Sequence, residues 1–231
     1  MENQLVVRVP IHTTLYLKDP RGTALGQRIV AQGTLMIDEV GIEEFTFRKL
    51  GKRIGSPEAS IYRYFSSKHQ LLVYLLNYFW EWMSVRIDLN TLNVRDARER
   101  LHIALRVLVD VSHRNAALDL LDEDALHRIV LTEGPKGYHS KTVDAENDQG
   151  FFHAYKRLCE KLADLLTGVD PNFPYPRTVA TMLLETANNA LYFTDHLPRL
   201  SDIPTDDPDP VEATQRMLVE LTERLLGNAA G

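Results

Sequence analysis

The sequence predicts an all-α protein, and three observations carry that expectation. Beyond residue 20 apolar residues recur at spacings of three and four in segment after segment, the period of a helix that turns one face to a core. Turn-forming stretches, DPNFPYP and SDIPTDDPDP among them, punctuate those segments. The stretch that breaks the pattern is LVVRVPIHTTLYLK near the start, which is β-branched and partly alternating. Pro10 argues against a central strand, so a short N-terminal edge strand, or an arm ordered against a partner, is expected there.

The elements follow in order. Leu25, Ile29, Met36, Ile37 and Val40 share one stripe of a first helix, and Gly41 stands where a helix C-terminus favours the left-handed conformation. Phe47, Leu50 and Ile54 mark a short second helix, with Thr46 as N-cap and Gly55 as its stop. Ile61 and Phe65 anchor a third, which Ser56 is placed to cap, with Pro57 in the first turn and Glu58 near the positive end of the dipole. Ser67 with Gln70 has the form of a capping box that opens a fourth helix. LLVYLLNYFWEWM, from Leu71 to Met83, is interrupted by Asn77 and Glu81 and falls short of the about 20 apolar residues of a membrane span, so it reads as a buried helix.

From Arg95 onward the helices lengthen. Leu101, Leu105 and Leu108 mark one, Leu118, Leu121, Ile129 and Val130 another, and Phe152, Tyr155, Leu158, Leu162 and Leu165 a third. TEGPKGYHSKTVDAENDQG, from Thr132 to Gly150, reads as a long polar loop. A helix through Val179, Leu183, Ala187, Ala190 and Leu191 and a last one through Leu218, Leu221 and Leu225 complete the chain. The organisation expected is an arm over 1–20, a helix-turn-helix domain over 21–70 and a helical domain over 71–231.

Composition excludes several classes. A chain of 231 residues with 44% hydrophobic and 25% charged residues is ordinary for a folded protein with a sizeable core. MENQLVVRVP has no basic n-region followed by a continuous apolar run, so export is not expected and a cytoplasmic setting is. The single cysteine, Cys159, lies among Tyr155, Leu158 and Leu162 at helical spacing and reads as a small buried hydrophobe. The histidines at 102, 113, 127, 139, 153 and 196 form no HExxH pattern and no CxxC exists, so neither a metal nor another cofactor is expected. With no nucleophile elbow or phosphate loop, the sequence gives no ground for an enzyme. Phe151, Phe152, Tyr155, Tyr192 and Phe193 suit either a core or a pocket, and the effector residues stay unassigned.

Charge distribution points elsewhere. The net charge is −6, yet between Thr46 and Gln70 six basic residues, Arg48, Lys49, Lys52, Arg53, Arg63 and Lys68, face one acid, Glu58. Phosphate neutralisation needs such a local excess. Two short amphipathic helices joined by a glycine turn describe a helix-turn-helix, whose second helix enters the major groove. Steps of about 100° per residue place Ile61 and Phe65 inward with Phe45, Ile54 and Leu72, while Ala59, Ser60, Tyr62 and Arg63 point outward. Arg63 suits bidentate readout of guanine, and Tyr62 and Tyr64 suit phosphate contacts, although Tyr64 is also a candidate for the core. Lys68 opens the fourth helix, whose free N–H groups favour an anion.

The run GIEEFTFRKLGKRIGSPEASIYRYFSSKHQLL resembles the DNA-binding region of TetR/AcrR-family transcriptional regulators. Gly41, Ile42, Thr46, Leu50, Gly55, Ile61, Tyr62, Tyr64, Phe65 and Lys68 match that pattern in order and spacing. The resemblance implies a homodimeric repressor that binds a palindromic double-stranded operator and is released by an unidentified small-molecule effector held in a C-terminal ligand-binding and dimerisation domain. It implies DNA contacts from Thr46, Tyr62, Tyr64 and Lys68, to which Arg48, Lys49, Ala59, Ser60 and Arg63 are added from exposure and charge. The helix over about 177–196 and the last helix are the implied dimer interface. Gly51 departs from the family's usual alanine, and Ser56 and Pro57 from its valine and serine. A helix-turn-helix that serves protein interaction without DNA stays open as the alternative.

Overall fold

A computed structural model describes residues 9–110, 121–138, 141 and 143–227. Among the described residues there are ten α-helices, three short 3-10 turns and no strand. The chain divides into two compact units, Met1–Trp82 with Ser112–Tyr155, and Met83–Val111 with Lys156–Gly231.

The first unit opens with a strap rather than a strand. Residues 5–8 of the expected strand lie outside the described residues, and from Val9 the chain is irregular apart from 3-10 turns at Thr13–Leu15 and Pro20–Gly22. Val9, Ile11 and Leu15 are buried within the chain's own fold. Gly26 lets the strap cross the first helix, because a Cβ there would lie 2.3 Å from the Pro20 carbonyl oxygen.

Helix α1 (Ala24–Glu44) is capped by Thr23, whose hydroxyl accepts from the Gly26 N–H at 3.0 Å. Gly41 takes φ 73° and ψ 160°, so the predicted stop is a kink, after which one further turn runs to Glu44. Helices α2 (Phe47–Ile54) and α3 (Glu58–Tyr62) follow, then α4 (Lys68–Thr91). The α4 stretch from Gln70 to Ser84 is buried throughout, as its apolar run predicts, with Trp82 and Tyr74 fully enclosed. At its start Ser67 caps the Gln70 N–H at 3.1 Å, but the Gln70 side chain accepts from Ser66 N–H at 2.7 Å, one residue before the partner a capping box requires.

The loop expected over Thr132–Gly150 is mostly helix. α6 (Glu123–Tyr138) continues through Pro135, and α7 (Val143–Asp148) follows. Packing overrides the local signals: Gly137 lies against Leu76, so near that a Cβ would come within 2.7 Å of its Cδ1, and buried Glu133 pairs with Lys136 at 2.8 Å. Leu118, His113 and His139 lie outside the described residues.

The second unit is a helical layer built on α5 (Ala97–Val109), α9 (Pro176–His196) and α10 (Pro210–Gly227), which touch one another pairwise, with the C-terminal part of α8 (His153–Val169). Leu101, Leu105, Leu183, Leu184 and Leu218 form its core. Arg98 and His102 on α5 both reach Glu223 on α10. Cys159 is buried, and its Sγ accepts from the Thr181 hydroxyl at 3.7 Å.

Candidate nucleic-acid interface

The site begins with how α2 and α3 are held. Thr46 caps α2 by accepting from the Lys49 N–H at 3.2 Å, and Gly55 ends it in the left-handed region at φ 64°. Gly51 is what allows α3 to approach. A Cβ at that position would stand 2.6 Å from the Ser56 carbonyl oxygen, and the Ser56 N–H donates to the Gly51 carbonyl at 2.9 Å. A residue that weakens an isolated helix therefore permits the tight turn.

Helix α3 starts one residue later than Ser56 capping requires. Pro57 is its N-cap, with no side-chain hydrogen bond, and Ser56 is not the cap. Proline has no N–H to satisfy, and its carbonyl accepts from the Ser60 N–H at 2.9 Å. Ile61 and Phe65 are fully buried with Phe45, and Leu72 and Ile54 join them. Ala59, Tyr62 and Arg63 are exposed and Ser60 is half-buried, so the outward face has the composition expected. Tyr62 is 47% exposed but not loose, since its ring meets Phe47 edge-on at 5.0 Å.

The cations divide into two groups. Arg53 forms a bidentate pair with Glu39 at 2.5 and 2.8 Å and adds a bond to Gln32, and its guanidinium holds the Glu39 carboxyl below the usual carboxylate range. Lys49 donates to the Glu44 carbonyl at 2.6 Å and reaches its carboxylate at 3.3 Å. Arg48, Lys52 and Arg63 are exposed and carry no ion pair among the described residues.

Tyr64 and Lys68 face inward to structural tasks. Tyr64 is 3% exposed, and its hydroxyl shares a 2.8 Å hydrogen bond with Thr23. Lys68 Nζ donates to the carbonyls of Ile42 and Glu43 at 2.8 and 2.9 Å, fixing the link between α1 and α2. From the other side Glu133 on α6 accepts from the Ile42 N–H at 3.3 Å, and Arg128 holds Asp38 bidentately at 2.9 and 2.7 Å. Glu133, Asp38, Glu39 and Thr23 carried no sequence signal as site residues, because each acts through a contact made only when distant segments meet.

A buried core that presents a short, outward helix with a free arginine, beside a capped second helix, defines a helix-turn-helix protein. Residues 29–75 match the family model described as bacterial regulatory proteins, tetR family. The match takes in the helix-turn-helix region, α2 and α3 with their flanking helices, and leaves the second unit outside it.

Among curated proteins, nucleoid occlusion factor SlmA of Haemophilus influenzae is 30% identical over 84 residues, 36% of this chain and 38% of SlmA. The chain thus spans 38% to 50% of the length of the curated relatives it matches in sequence. Solved structures extend the fold likeness. AibR in complex with isovaleryl coenzyme A and operator DNA superposes with a TM-score of 0.59 at 14% identity, covering 88% of this chain and 97% of AibR. The ketosteroid transcriptional regulator KstR2 of Mycobacterium tuberculosis gives 0.53 at 17% identity, covering 96% and 98%. Among the described residues no helix is long and apolar enough to cross a membrane, and no group of three or more His, Cys, Asp or Glu side chains is placed to hold a metal ion.

Proposed function

We propose that this protein is a sequence-specific DNA-binding transcriptional regulator that acts as a homodimer on a palindromic operator. The observation that carries the reading is the outward face of α3: Ala59, Ser60, Tyr62 and Arg63 stand clear of a core closed by Ile61 and Phe65, beside the free cations Arg48 and Lys52 of an otherwise acidic chain. Arg63 reads a base edge, and Tyr62, Thr46, Arg48 and Lys49 meet phosphates. Tyr64 and Lys68 act mainly by holding α3 and the α1–α2 link, with the free N–H groups at the start of α4 left for a phosphate. Two copies related by a two-fold axis present their α3 helices to successive major grooves about 34–36 Å apart.

Release by a small molecule is the second part of the proposal. What supports an effector, as distinct from release by it, is the AibR complex, which holds an acyl-CoA together with operator DNA on the same fold. The second unit has a groove of 550 Å³ lined in part by Ser84, Thr91, Arg100, Arg157 and Lys161, and that is where an effector would be sought first.

The test is selection from a random duplex pool with the purified protein, followed by salt titration of the winning sequence. An inverted repeat bound with a steep salt dependence is expected. Binding that depends on neither sequence nor salt refutes the proposal and favours a protein-interaction role.

A further inference from the structure

The strap before α1 is built onto the end of the reading helix, not merely laid on the surface. The Leu17 N–H donates to the Tyr64 carbonyl at 2.7 Å, the Thr23 hydroxyl bonds the Tyr64 hydroxyl, and Gln70 Nε2 donates to the Thr14 carbonyl at 3.2 Å. Within the strap, Arg21 is committed to Asp19 and to the Val9 carbonyl, at 2.8 Å to each. Buried Val9, Ile11 and Leu15 and the Gly26 crossing fix the path.

Lys18 is placed differently. It is exposed, has no hydrogen bond or ion pair among the described residues, and lies with Nζ 5.3 Å from the centre of the Tyr64 ring. Tyr64 directly follows Arg63, so the strap holds an unneutralised ammonium beside the C-terminal end of α3. The aromatic face orients the lysine without neutralising it, since a ring quadrupole attracts a cation but cannot take its charge.

We propose that the strap is a second DNA-contacting element, with Lys18 bound to a backbone phosphate flanking the bases that α3 reads. The proposal rests on the DNA-binding reading above. A phosphate contact positions the protein and carries no sequence information, so its loss weakens specific and non-specific binding alike. Arg63, by contrast, affects the matched site selectively.

The experiment compares the full chain with Lys18→Ala, Lys18→Arg and, as an equal change of charge at an exposed, unpaired site of the second unit, Arg95→Ala. Affinity for the selected operator and for an unrelated duplex is measured across about 50 to 200 mM salt. Losing one phosphate contact lowers the slope of log K against log salt by about 0.9, so the deficit of Lys18→Ala shrinks roughly threefold over that range. Lys18→Arg keeps the wild-type slope, and so does Arg95→Ala.

A lysine that only packs on Tyr64 would lower the melting temperature and leave the slope unchanged, which overturns the proposal. Equal slopes for Lys18→Ala and Arg95→Ala overturn it as well. If the wild-type protein shows no salt-dependent duplex binding at all, the DNA reading itself falls and takes this one with it.

Discussion

Two surfaces of this protein are unfinished in opposite ways. Around α3 the exposed groups are Ala59, the ring of Tyr62 and charged side chains, with Arg48, Lys52 and Arg63 unpaired among the described residues. On α9 and α10 large apolar groups stand among the exposed charged ones: Met182, Tyr192, Leu221 and Leu225 lie open to solvent. A charged surface is completed by counter-charge and an apolar one by exclusion of water, so one chain asks for two different partners. In the proposed dimer on DNA, the first would meet a phosphate backbone and the second another copy of the same helices.

The largest effect is expected where an apolar surface is given a charge. Leu221→Asp on α10 would bury an unpaired carboxylate in a dimer, at a cost of roughly 3–5 kcal/mol, which is more than a hundredfold in association. Sedimentation should then show a monomer of normal helicity with poor operator binding. An unchanged dimer mass would remove α10 from the interface and break the comparison.

Next in size is Gly51→Ala. Alanine favours a helix by about 1 kcal/mol over glycine, but here its Cβ collides with the Ser56 carbonyl, so a net loss of about 1–3 kcal/mol is expected in urea unfolding. A gain in stability would mean that the α2–α3 turn relaxes freely. Arg63→Ala should leave the unfolding midpoint alone and cost about 1–3 kcal/mol at a single base pair, visible as lost discrimination between matched and mismatched operators. Equal weakening on both would reassign Arg63 to the backbone.

The smallest expected effect is in acid. Arg21 donates to Asp19 and holds its carboxyl below the ordinary value, against the opposing effect of burial. A depressed folded value means that the contact stabilises fully above the unfolded value of about 3.9 and is lost as pH falls through the folded one. Because the pair is partly exposed, the change is small. Asp19→Asn should flatten that part of the melting-temperature profile between about pH 5 and pH 2, and an unaltered profile would show that the strap is held without it.

Much of the first unit follows from rules that act within a few residues. Thr46, Gly55, Ile61 and Phe65 occupy the roles that capping and helical period assign them, because a cap, a left-handed turn and an inward stripe depend on neighbours within about four residues. Buried α4 was legible for the same reason. Tertiary structure alone decided the rest. Thr132–Gly150 looks like a loop until Gly137 meets Leu76, and Lys68 looks free until the carbonyls of Ile42 and Glu43 reach it from 25 and more residues away. Lys49 and Arg53 count as positive charge in the sequence, yet in the fold they are paired with Glu44 and Glu39. Local rules fix which backbone forms, whereas the availability of a charge depends on what folding brings beside it, and no pattern of spacing in one chain records that.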